Sequence, residues 1–166
     1  MVKRDRRYSG NVGEHYVLYR LIREGFNAVL AAPNTDAVDI YVADKNGKPF
    51  AVQVKTKANS TIWRLNKKHE TIEDPRLCYA FVDIGKDFDK EPPDLFIVPS
   101  NVVARAVRES HKAWHRKPTR TGAPKKDNDL RDIAKSYPRT RYSGLEGFPD
   151  GWMEQYRENW QGLKAP

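Results

Sequence analysis

Four residues in the first third of the chain have the types and spacing to do chemistry: Glu14, Asp39, Gln53 and Lys55. Two carboxylates and an amide oxygen suit a hard divalent ion such as Mg²⁺, which prefers oxygen ligands and keeps several of its waters. A lysine beside them could orient an attacking water or balance charge on a pentavalent phosphorus. The expected first shell is Asp39, the Gln53 side-chain oxygen and the Val54 carbonyl, with Glu14 holding a water on the ion. Such an ion polarises a phosphoryl oxygen and acidifies water. Mg²⁺ is therefore the expected cofactor, with Mn²⁺ expected to substitute.

For these groups to meet, the elements carrying them must fold together. Residues 38–42 alternate, with Val38, Ile40 and Val42 on one face and Asp39 and Tyr41 on the other. Residues 43–49 contain Asn46-Gly47 and end in Pro49, which predicts a turn. Residues 50–55 resume the alternation, with Ala51, Gln53 and Lys55 opposite Phe50, Val52 and Val54. A hairpin with residue 42 opposite residue 50 puts Asp39 beside Gln53 and Lys55 one same-face step further on. Glu14 lies in a predicted helix over 11–24, followed by Gly25 in the position favoured just past a helix end. Val17, Leu18 and Leu21 follow it at helical spacing, so its carboxylate lies along an apolar stripe. A carboxylate there calls for a cation, a metal or a cleft nearby.

Gly13-Glu14, Val38-Asp39-Ile40 and Val52-Gln53-Val54-Lys55 together resemble the signature of the PD-(D/E)XK nuclease superfamily. The match covers roughly residues 10–60. Gln53 stands where the pattern has Glu or Asp, a variant that resembles the Gln-x-Lys form of Mrr-like restriction endonucleases, and Val38 replaces the proline before the Asp. The resemblance implies an α/β fold with a mixed central β-sheet flanked by helices. It also implies a metal-dependent endonuclease acting on DNA phosphodiester bonds, in restriction or genome defence. Two alternatives stay open. One is a structure-selective, dimeric nuclease similar to Holliday junction resolvases. The other is a catalytically inactive nuclease fold that binds nucleic acid or protein, motivated by the neutral Gln53.

The rest of the chain sets the context. With 166 residues, 39% apolar and 31% charged, a single domain is expected, residues 116–166 forming a basic irregular extension that ends in a helix over 151–161. Net charge of +8 favours a polyanionic partner. The expected partner is double-stranded or branched DNA rather than a membrane, with homodimerisation open. A basic N-terminus without an apolar run predicts a cytoplasmic protein. Residues 112–141 hold ten Lys or Arg against three Asp, so Lys112, Arg116, Lys117, Arg120, Lys125 and Lys126 are candidate phosphate contacts, with Lys57 added from the strand after Lys55.

Strands are predicted over 29–32, 77–84 and 95–98, and a helix over 102–114. Cys78 reads as core. Asp36 reads as a loop residue in preference to a metal ligand. His69, His111 and His115 read as surface or interface positions, since no carboxylate or Cys accompanies them at a zinc-like spacing. Trp63, Trp114, Trp152 and Trp160 read as core in preference to base-stacking platforms.

Overall fold

The structure is a computed structural model that describes residues 6–33, 35–44, 46–85, 91–137, 145 and 147–163. It opens with helix α1 (Arg6–Arg23), closed by Gly25 at φ 86°. A left-handed C-terminal residue of this kind is tolerated best by glycine. Strands β1 (Asn27–Leu30), β2 (Ile40–Ala43) and β3 (Pro49–Lys57) follow as an antiparallel meander. In the β2–β3 turn, Asp44 Oδ1 accepts the N–H groups of Asn46 and Lys48 at 2.8 Å, and Gly47 takes φ 77°. The predicted register is the observed one, with Val42 opposite Phe50.

Strand β4 (Ile62–Asn66) and a 3₁₀ turn (Lys67–Glu70) lead to β5 (Leu77–Asp83), which lies parallel to β3, and β6 (Asp94–Pro99) returns antiparallel to β5. The main sheet is thus mixed, in the order β1-β2-β3-β5-β6. β5 reads Leu-Cys-Tyr-Ala-Phe-Val before its terminal Asp, and all six of those residues are buried. A continuous apolar run is what a strand covered on both faces requires. Its even residues Cys78, Ala80 and Val82 join Val17, Leu21, Ile40, Val52 and Val54 in a core against α1. Its odd residues Leu77, Tyr79 and Phe81 join Trp63, Phe96, Val98, Val103 and Val107 on the other face, beneath helix α2 (Ser100–Arg116). Burial pushes the Cys78 thiol up to about 11, so it behaves as a small apolar side chain.

Two expectations are corrected. The described residues of 116–166 are not an irregular extension. Strand β7 (Leu130–Ala134) pairs antiparallel with β4 as a separate two-stranded sheet, and Ile133, Tyr137, Phe148, Trp152 and Met153 complete the core under α2. The expected helix over 151–161 is replaced by two 3₁₀ segments, Trp152–Tyr156 and Trp160–Leu163. Glu158 stands between them at φ 46°, left-handed, and breaks any continuous helix. That conformation is held because Glu158 N–H donates to the Leu95 carbonyl at 3.0 Å and its carboxylate takes both Nη groups of Arg20 at 2.7 and 2.9 Å. Among the described residues no helix is long and apolar enough to cross a membrane.

Candidate active site

The site lies where β2 begins, beside the middle of β3. The chain enters β2 through Ala37 at φ 58°, a left-handed conformation that costs a non-glycine residue about 1–2 kcal/mol. Strain of that size persists only where the surroundings impose it. Here Asp39 is fixed on both sides, its N–H donating to the Val52 carbonyl at 3.0 Å and its carbonyl accepting from Ala31 at 2.9 Å. Its Oδ2 accepts the Val54 N–H at 2.6 Å, so a side chain closes this end of the β2–β3 ladder. The N–H and C=O of one strand residue point the same way, so the Val54 carbonyl faces the same side as the Asp39 carboxylate.

Gln53 and Lys55 alternate onto the opposite face from Val52 and Val54, opposite Tyr79 and Phe81 of β5. Gln53 is 6% exposed, and its Oε1 is buried with no hydrogen-bond partner among the described residues. A buried amide oxygen left unpaired costs about 1–3 kcal/mol, so it marks a place built for a further donor or a cation. Lys55 is held below the usual lysine range, first by burial and then by Lys68, against the opposing pull of Asp39 and Glu14. Glu14 comes from α1 and is raised above the usual carboxylate range, by burial first and then by the Asp39 charge, with His15 and Lys55 working the other way. At neutral pH, Glu14 therefore works against folding while it stays ionised, a penalty that falls away as pH drops or when a cation neutralises the pair.

The donor set fits a hard ion. Two carboxylates, one orphaned amide oxygen and one strand carbonyl match an oxygen-preferring ion that retains waters.

Close approach of α1 to β3 rests on Gly13. A Cβ there would lie 1.8 Å from Thr56 Oγ1 and 3.0 Å from Thr56 Cβ, so any side chain at residue 13 would push α1, and with it Glu14, away from the sheet.

The other sequence candidates separate clearly. Lys57 is not available to phosphate: it is 8% exposed, ion-paired with Asp83, donating to the Ser60 carbonyl at 2.6 Å and lying 4.6 Å from the Trp63 ring centre. Asp83 in turn meets Lys135 at 3.0 Å, and Lys135 meets Asp94, which also binds Arg157. Asp36 is an exposed loop residue paired with Lys68 at 2.7 Å. Arg116, Arg120 and Lys126 are exposed, and so is Lys112, which pairs with Glu109 at 2.9 Å. Lys117 is half-buried, while Lys125 folds back onto the Trp114 carbonyl at 2.6 Å. Arg139 and Arg141 lie outside the described residues. Trp63, Trp152 and Trp160 are core; Trp114 is half-buried.

His69 corrects the surface reading of the histidines. It is 2% exposed, with Nδ1 and the Tyr79 hydroxyl 2.8 Å apart. Burial, with help from Lys55 and Lys68, pulls it down to about 4 from an ordinary 6.5. The signal missed was the apolar strand opposite, which supplied a hydroxyl partner. Because the folded value is depressed, His69 contributes stability in full above pH 6.5, and that contribution is lost as pH falls towards 4. Wild type should therefore lose up to about 3 kcal/mol more than His69→Gln between pH 7 and pH 4, read by urea unfolding across the range. Parallel pH curves for the two proteins would contradict this.

No protein-family model matches the chain, and no curated protein matches it in sequence. Among solved structures, a bacterial homing endonuclease, I-Ssp6803I, matches 96% of this chain and 92% of its own at a TM-score of 0.50 and 13% identity. At that identity the likeness is one of fold: the chain shares a mixed α/β fold with that protein.

Proposed function

We propose that the chain is a divalent-metal-dependent endonuclease that hydrolyses DNA phosphodiester bonds at a Gln-x-Lys variant of the PD-(D/E)XK site. The observation that carries this reading is the buried, unpartnered Oε1 of Gln53 on the strand whose Val54 N–H is held by Asp39. An oxygen in that position gains most from a cation. The similar fold of a protein described as a homing endonuclease supports the nuclease half of the reading, and the net charge of +8 supports DNA as its partner.

Asp39, Gln53 Oε1 and the Val54 carbonyl would hold Mg²⁺ or Mn²⁺, with Glu14 completing the acidic side. When bound, such an ion supplies Lewis-acid polarisation of a phosphoryl oxygen and acidification of an attacking water. The protein's own groups divide the remaining work. Glu14, raised above the usual carboxylate range by burial and by the Asp39 charge, takes a proton from the water as it attacks phosphorus, while the bond to the leaving sugar oxygen breaks and that oxygen takes a proton from solvent. Lys55 donates hydrogen bonds to the phosphoryl oxygen on which charge builds, and its partly buried ammonium acts through a low-dielectric path. Arg116 at the end of α2, with Arg120 and Lys126 beyond it, is exposed, and the three hold backbone phosphates along the flank, together with Lys112, Lys117 and Lys125.

Supercoiled plasmid incubated with the protein and Mg²⁺ or Mn²⁺ should relax and then linearise, and EDTA should stop it. Retardation of DNA in a gel without any strand breakage under either metal would favour a binding-only nuclease fold and overturn the catalytic reading.

A further inference from the structure

A cavity of about 110 Å³ opens between α2 and the β4–β7 sheet, outside the Glu14–Lys55 site. Its walls include Arg64, His111, Trp114, Asn128, Leu130 and Asp132. The His111 and Trp114 rings stack with centroids 5.4 Å apart and 29° between planes, which gives an aromatic wall. Arg64 donates through Nη1 to Asp132 Oδ1 at 2.8 Å, on directly paired positions of β4 and β7. Asn128 has its Oδ1 occupied by the Leu130 N–H at 2.8 Å, and its amide N–H₂ makes no hydrogen bond among the described residues.

This set of groups selects among ligand classes. Asp132 already neutralises Arg64, the one arginine in the wall, so a phosphate is a poor fit. Four polar side chains exclude a purely apolar guest. A flat, uncharged heterocycle with donors and acceptors on its edge satisfies both demands, because an arginine–carboxylate pair and an amide present complementary groups to it while the aromatic wall takes its face.

The cavity is also linked to the catalytic candidates. Asp127, next to Asn128, pairs with Lys67 at 3.0 Å. Lys68, the following residue, pairs with Asp36 at 2.7 Å, three residues before Asp39. We infer that this cavity receives a single unstacked nucleobase of the DNA strand cut at the Glu14–Lys55 site, an assignment that rests on the nuclease reading and adds a base-reading position to it.

The test uses the full chain, with the four deoxynucleoside 5′-monophosphates and deoxyribose 5-phosphate as separate probes. Side-chain NMR signals of Arg64 Nε, Trp114 Nε1 and Asn128 Nδ2 are followed. At least one nucleotide should shift all three saturably, deoxyribose 5-phosphate should not, and Arg64→Ala or Asn128→Ala should weaken the nucleotide at least about 10-fold. Arg64 is 59% exposed on its side chain, so its removal leaves the fold intact. Equal shifts from nucleotides and the sugar phosphate, or no shift from any of them, would overturn the inference. Plasmid cleavage measured in parallel separates the two claims: cleavage without nucleotide shifts sinks the base site alone, and nucleotide shifts without cleavage sink the catalytic reading alone.

Discussion

Replacing Asp39 by Asn is expected to abolish metal-dependent plasmid cleavage and leave the folded structure in place. Asparagine keeps the size and the oxygen that accepts the Val54 N–H at 2.6 Å, so the β2–β3 junction survives. It loses the negative charge that a hard divalent ion requires. Lys55→Ala should lower the rate by at least about 10²-fold with little loss of metal affinity, because its hydrogen bonds act on charge that develops only in the transition state. The pair of variants is informative together. Asp39→Asn should lose metal binding and cleavage, and Lys55→Ala cleavage alone, read by calorimetric Mn²⁺ titration beside the plasmid assay. Wild-type rates in both variants would remove these residues from the mechanism.

The second large effect comes from a residue with no functional group. Gly13→Ala should destabilise the protein by about 1–3 kcal/mol, since the new methyl would fall 1.8 Å from Thr56 Oγ1 and 3.0 Å from its Cβ. Rotating the threonine relieves only part of the clash, because its Cβ stays 3.0 Å away whatever the rotamer. The strain must move α1, and Glu14 is the next residue along it. Cleavage should therefore fall by more than the loss of folded protein explains. Thr56→Ala removes the two atoms that can be removed without breaking the strand, and Thr56 Oγ1 has no hydrogen-bond partner among the described residues to lose. The double variant Gly13→Ala with Thr56→Ala should recover part of both stability and activity, a coupling that a double-mutant cycle of melting and cleavage would quantify. Strict additivity of the two substitutions would contradict the packing account.

Much of this was legible in the amino-acid sequence because the hairpin obeys local rules. Alternation on both sides of an Asn-Gly turn leaves one register that buries Ile40, Val42, Val52 and Val54, and that register places Asp39 at the point where β2 meets β3. Glu14 was legible for the same reason, since Val17 and Leu21 fix which side of α1 is buried.

What escaped notice depended on distant partners. β7, Leu-Arg-Asp-Ile-Ala, carries two adjacent charges, and it forms a strand because β4 pairs with it and Glu70 neutralises the buried Arg131. Lys57 looked like a continuation of the Lys55 face, yet Asp83, 26 residues later, captures it. The role of Gly13 was invisible for a different reason. A glycine in a helix reads as a mild destabilisation until the neighbouring strand shows what a Cβ would strike.

The central claim is that Asp39, Gln53 and the Val54 carbonyl form an ion site completed by Glu14. Crystals of the protein soaked in Mn²⁺ and measured at the manganese absorption edge test it most directly. The account predicts an anomalous peak in contact with both an Asp39 carboxylate oxygen and Gln53 Oε1, and no peak there in crystals of Asp39→Asn. Manganese bound elsewhere with Gln53 Oε1 still unpartnered, or no anomalous peak at all, would contradict it.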